Sequence, residues 1–198
     1  MKLSIILPLL AATWPLVSAN PDAPEGYGVD TIEWDVQVTP NGEFVTLNGT
    51  LEDVHAELLE LNPRWDEEFL TDENEGNPLA KRTDFYGSKT VCGKFGSSAR
   101  FKPIQNGIKY LRGVSGHPRA GPGPAKCARV SCSYNSAIWW CNDSKSSKTL
   151  NSFGSIADGA AYVLSHCTVS GPGISNPSVN GQVFHKTNWN VYVRGASC

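Results

Sequence analysis

Ser152 to Cys167 reads SFGSIADGAAYVLSHC. Phe153, Ile156, Ala157, Ala160, Val163, Leu164 and Cys167 recur at spacings of three and one, which lays an unbroken apolar stripe along an α-helix. Ser152 stands at the N-cap position. β-type runs flank this helix: Lys126 to Tyr134 and Ala137 to Asn142 before it, Gln182 to Phe184 and Trp189 to Arg194 after it. A second helix is predicted from about Phe101 to Arg112, with Phe101, Ile104, Ile108 and Leu111 on one face. Pro103 is tolerated only in its first turn, and Gly113 is a stop signal. Lys89 to Cys92 supplies a short strand ahead of it, and Gly116 to Pro124 reads as a Gly/Pro loop. The resulting order is β-α-β-β-α-β. It predicts an α+β sandwich of the split βαβ, ferredoxin-like kind, with two helices on one face of an antiparallel sheet.

Charge divides the chain at Lys81-Arg82. Residues 20–82 carry 16 acids and three bases, a net of −13, whereas residues 83–198 carry 13 bases and three acids, a net of +10. All six cysteines (Cys92, Cys127, Cys132, Cys141, Cys167 and Cys198) lie in the basic part. Lys2, the apolar run Leu3 to Val17 and the small residues Ser18 and Ala19 have the form of a secretory signal, with cleavage expected after Ala19. That run is short for a membrane span. Export to an oxidising compartment implies three disulfides, whose pairing the spacing leaves open among 15 arrangements. The expected organisation is a signal peptide (1–19), an acidic pro-region (20–82) and a basic disulfide-bonded domain (83–198). A kexin-type protease is expected to cut after Arg82.

The acidic part has structure of its own. Ile32, Trp34, Val36 and Val38 alternate with polar residues as in a half-buried strand, and Pro40-Asn41-Gly42 turns the chain into Phe44 to Leu47. Thr50 and Asp53 form a capping-box analogue before Leu51, Val54, Leu58 and Leu61. This predicts a ββα unit whose apolar face packs on the basic domain. Asp66 to Ala80 is acidic and aperiodic and reads as an exposed linker.

The stretch GVSGHPRAGPGPAKCARVSCSYNSAIWWCND (Gly113 to Asp143), with Gly159-Ala160-Ala161-Tyr162 and the ending Asn188 to Arg194, resembles the killer-toxin-like group of fungal secreted cysteine-rich proteins. The resemblance implies an extracellular effector or antagonistic toxin and assigns no catalytic residue, metal ligand or cofactor.

Nine bases fall between residues 83 and 129, opposed there by Asp84 alone. Lys102, Lys109, Arg112, Arg119, Lys126 and Arg129 are therefore the candidate binding surface. Such density favours an anionic partner: nucleic acid, a membrane surface, wall polymer or an acidic host or competitor protein. The chain's own pro-region is a further partner. Trp139, Trp140 and Trp189 are candidate stacking residues; neighbours on a strand face opposite ways, so one of Trp139 and Trp140 is expected to be partly exposed. Glutamate is absent after Arg82, and His117, His166 and His185 are the histidines left there. A small ribonuclease-type hydrolase using His117 or His185 is the alternative activity, and a wall-associated binding protein the other. Sequons at Asn48 and Asn142 are glycosylation candidates.

Overall fold

A computed structural model describes residues 24–70, 82–94 and 96–198. Ala19, Lys81 and the expected signal peptide lie outside the described residues, as does most of the expected linker. The protein is α+β, with four helices and three sheets among the described residues and three disulfides.

The N-terminal part contributes β1 (Gly28–Asp30), β2 (Glu33–Gln37), β3 (Phe44–Asn48), α1 (Leu51–Leu61) and the one-turn α2 (Trp65–Phe69). β4 (Thr90–Cys92), β5 (Ala99–Arg100), α3 (Phe101–Gly113), β6 (Gly116–Ala120), β7 (Lys126–Ser133), β8 (Ser136–Asn142) and β9 (Lys148–Thr149) follow. α4 (Gly154–Cys167), β10 (Thr168–Val169), β11 (Ser178–Val179), β12 (Gly181–His185) and β13 (Trp189–Gly195) complete the chain. The main sheet has the order β1-β7-β8-β13-β12-β4; every neighbouring pair is antiparallel except β1 with β7. It has two more strands than the four-strand pattern expected. One is β1. The other arises because the C-terminal run is a hairpin: Asn188, at φ 59°, closes a three-residue loop between His185 and Trp189. The β7–β8 hairpin is tighter still, and Tyr134 and Asn135 both take left-handed φ (49° and 56°).

α4 and α3 lie together over one face of this sheet. Ile104, Ile108 and Leu111 of α3 and Ile156, Ala160 and Val163 of α4 share a core with Ile138, Trp140, Val183, Val191 and Val193. Gly159 permits the close approach of α4: a Cβ there would stand 2.6 Å from Val191 Cγ2. The helix begins one residue later than expected, and the Ser152 hydroxyl makes no cap bond; its carbonyl accepts from Ser155 N–H instead (3.1 Å).

The ββα unit forms as expected, with a complete Thr50–Asp53 capping box at α1. It joins the rest of the fold through a second sheet of order β3-β2-β6-β9. Here two expectations are corrected. Gly116 to Ala120 is a strand, not a loop, pairing antiparallel with β2; Pro118 lacks a donor but its carbonyl still receives Leu150 N–H (3.1 Å). The start of the expected linker is helix α2, because Trp65 and Phe69 are buried one turn apart. The apolar face of residues 24–70 is continuous with the main core: Trp34, fully buried, stacks on Phe153 with centroids 4.3 Å apart.

Candidate functional site

α3 presents Lys102 and Lys109 seven residues apart and Arg112 three further on, which at 3.6 residues per turn aligns them on one exposed stripe. α3 itself carries no acid. Lys102 Nζ reaches Gln105 Oε1 (3.1 Å), and Arg112 Nη2 lies 3.3 Å from Asp158 Oδ1 on α4. The other candidates lie elsewhere. Lys126 is exposed at the start of β7, and Arg129 Nη1 donates to Ser197 O (2.9 Å).

Arg119 is engaged by the N-terminal part. It sits on β6 directly opposite Glu33 of β2. Its Nη2 donates to both Asp35 oxygens (3.0 and 2.8 Å). Its Nε lies 3.0 Å from Glu33 Oε2, an ionic contact lacking hydrogen-bond alignment. The Arg119 side chain is 43% exposed, so this cluster adds on the order of 0–1 kcal/mol per pair and acts mainly as a local cover of positive charge. Glu52 of α1 makes a second acidic contact: its carboxylate accepts from Cys132 N–H (3.1 and 3.0 Å) and Ser131 hydroxyl (2.8 Å) on β7.

The tryptophan expectation is corrected. Trp139 and Trp140 do face opposite ways, yet both are fully buried, and Trp189 is 2% exposed. Trp140 lies under the helices. Trp139 belongs to a second cluster with Cys127, Cys141 and Tyr192 on the other face, against which Tyr27 packs. Tyr27, just ahead of the edge strand β1, and the disulfide between Cys127 and Cys141 lie on that face. The Tyr27 hydroxyl accepts from Asn190 Nδ2 (3.0 Å), and Asn190 Nδ2 also donates to Asp143 Oδ2 (2.8 Å). Burial first, and then Asp143, push the Tyr27 phenol up to about 12. The exposed aromatics among the described residues are instead Phe44, Tyr86 and Tyr134. Tyr134 projects because it sits at the tip of the left-handed hairpin turn, a geometry that no periodicity signals.

The three histidines lie on separate elements. His117 is exposed on β6, with Nδ1 3.4 Å from Leu150 O. His166 is exposed at the end of α4 and stacks on Tyr162 at 3.9 Å. His185 packs against Trp189 and Phe85; burial first, then Lys186 and Lys148, hold its pKa below the ordinary value. No two histidines are ring or hydrogen-bond neighbours in these contacts. Among the described residues no three His, Cys, Asp or Glu side chains gather as a metal set.

Cysteine pairing, left open by the sequence, is Cys92–Cys167, Cys127–Cys141 and Cys132–Cys198, with no free thiol. Among the described residues no helix is long and apolar enough to cross a membrane. The Asn142 sequon is corrected as a glycan site. Its side chain is fully buried: Nδ2 donates to Gly121 O (2.9 Å) and Ser146 O (2.8 Å), and Oδ1 accepts from the sequon's own Ser144. Asn48 is exposed at the end of β3. Protein secreted from a glycosylating host is therefore expected to lose its whole glycan mass in the Asn48→Gln variant, read by intact mass. Residual glycan on that variant would show that Asn142 is reached before it is buried.

Comparison with protein-family models, with curated proteins and with solved structures returned no match.

Proposed function

We propose that the protein is a secreted, non-enzymatic effector or toxin-like protein that binds an anionic or acidic macromolecule through its cationic surface. The observation that carries this reading is the exposed stripe of Lys102, Lys109 and Arg112 on a helix without acids. Three disulfides are consistent with an extracellular life. The exposed aromatic that would accompany the cations is Tyr86 or Tyr134, in place of the buried tryptophans.

Residues 1–19 are read as a signal peptide and 20–82 as a pro-region removed from covalent linkage after Arg82, whose side chain is exposed. The pro-region covers part of the positive surface, which the Arg119–Glu33–Asp35 cluster supports. Residues 83–198 are read as a variant of the split βαβ pattern, because α4 joins the parallel strands β8 and β12 across β13.

Salt is the test. If the stripe meets about three phosphates, binding to a single-stranded RNA should weaken about 20-fold between 50 and 200 mM salt. Lys102→Gln with Lys109→Gln should weaken binding and flatten that dependence. Affinity unchanged by salt rejects the mechanism, and RNA cleavage abolished by His117→Ala or His185→Ala would establish the hydrolase instead.

A further inference from the structure

We propose that Asp158 is a receptor for the α-ammonium group created at Thr83 when the chain is cut after Arg82. This rests on the processing reading above and adds what the cut does to the fold. Hydrolysis adds water across the Arg82–Thr83 peptide bond. Arg82 keeps a carboxylate, and the Thr83 nitrogen leaves as a primary amine that is protonated at neutral pH.

That nitrogen already has its place. In the joined chain Thr83 N–H donates to Asp158 Oδ2 at 2.9 Å, across 75 residues of sequence. The Thr83 hydroxyl donates to Ser155 Oγ, also at 2.9 Å, one turn earlier on α4. Asp158 is a sheltered carboxylate, its side chain 13% exposed. Two residues on, Phe85 is buried edge-on against Trp189 and closes over Gly159. The segment is therefore held at the nitrogen and just after it, while Arg82 immediately before it is exposed. A cut replaces one amide donor by a charged group with three protons, aimed at the same oxygen. The bond, already charge-assisted through its carboxylate acceptor, thereby becomes an ion pair.

The surrounding charges permit this. Arg112 approaches Asp158 from α3 but uses the other oxygen, Oδ1. α4 carries no further charge except His166 at its far end. On the segment itself, Arg82 is exposed, and Asp84, also exposed, accepts from Tyr86 N–H. Asp158 is thus the carboxylate within hydrogen-bond reach of the new terminus. The cut requires transient release of Thr83, after which the terminus redocks.

The test uses the full secreted chain, cut in solution by a dibasic-specific endoprotease, with N-terminal sequencing to verify Thr83. Acylation of the α-amino group is followed by mass spectrometry from pH 6 to 10, in native and in denatured protein. An unpaired α-amino group titrates near 7.7–8.0. Pairing with Asp158 should raise the native midpoint by a unit or more, so that labelling at pH 7 is roughly tenfold slower than in denaturant. Burial alone would lower the midpoint, so direction separates the two. Asp158→Asn should return the midpoint to the ordinary range; the native–denatured comparison on the wild-type protein needs no variant. A native midpoint at or below the denatured one overturns the proposal, as does a folded chain that the endoprotease cannot cut at Arg82. Recovery from producing cells of protein still joined at residues 82–83 would defeat the processing reading alone, leaving the chain cut in solution to decide the role of Asp158.

Discussion

Trp34→Ala is expected to destabilise the chain by about 3–5 kcal/mol, the range for truncating a buried Trp or Phe. Small domains have about 5–15 kcal/mol in total, so one substitution in the acidic half should remove much of the stability of the whole. Trp34 sits on the central strand β2, between Leu47 of β3 and Pro118 of β6. Its ring stacks on Phe153 at the start of α4, and its Nε1 donates to Gly49 O (2.9 Å). The substitution leaves a cavity and two carbon frameworks without partners. The measurement is the urea midpoint of purified protein, with the yield of fully oxidised protein as a second readout. Trp34→Phe should keep most of the stability. A loss below about 1 kcal/mol would mean that residues 24–70 are a detachable cover. By the same argument, protein cut after Arg82 should elute as one two-chain particle under native conditions. Lone release of residues 83–198 would expose Phe153, whose ring Trp34 covers in the joined chain.

Removing the Cys92–Cys167 bridge as a double alanine variant is expected to cost about 4–5 kcal/mol on the chain-entropy account, since it closes a loop 75 residues long. Local structure agrees. β4 has three residues and pairs with β12 alone, at the edge of the main sheet. The bridge ties that edge to the last residue of α4. Without it, β4 should fray and the segment from Thr83 lose one of its anchors. Thermal unfolding with amide exchange on Thr90 to Cys92 reads both effects. Full protection of those amides in the variant, with a melting temperature unchanged, would show that β12 alone holds the edge.

Much was legible in the residues themselves. The α4 stripe, the α3 face and the Thr50–Asp53 box are local patterns with fixed periods, and each gave its element at nearly the observed bounds. The candidate site was less legible. Lys102, Lys109 and Arg112 share a helix, so their spacing placed them together. Arg119 was read as a loop cation because Pro118 and the glycines around it mimic a turn, and only pairing with β2 makes that run a strand. Trp139 and Trp140 were correctly read as facing opposite ways. What covers the second face could not be read, because Tyr27 arrives from about a hundred residues away, carried by the pairing of β1 with β7.

The sequence by itself determined helices α1, α3 and α4, the extended runs of β2, β3, β7, β8, β12 and β13, where the charge reverses and that six cysteines lie in the basic part. Those properties depend on side-chain period and composition within a few residues. Only the tertiary structure decided the cysteine pairing, the burial of all three candidate tryptophans and Asn142, and the seating of Thr83 on Asp158. Each of these depends on which distant surfaces meet. That choice is made by the shared core of the two halves, where burying apolar area from both at once outweighs what either segment specifies alone.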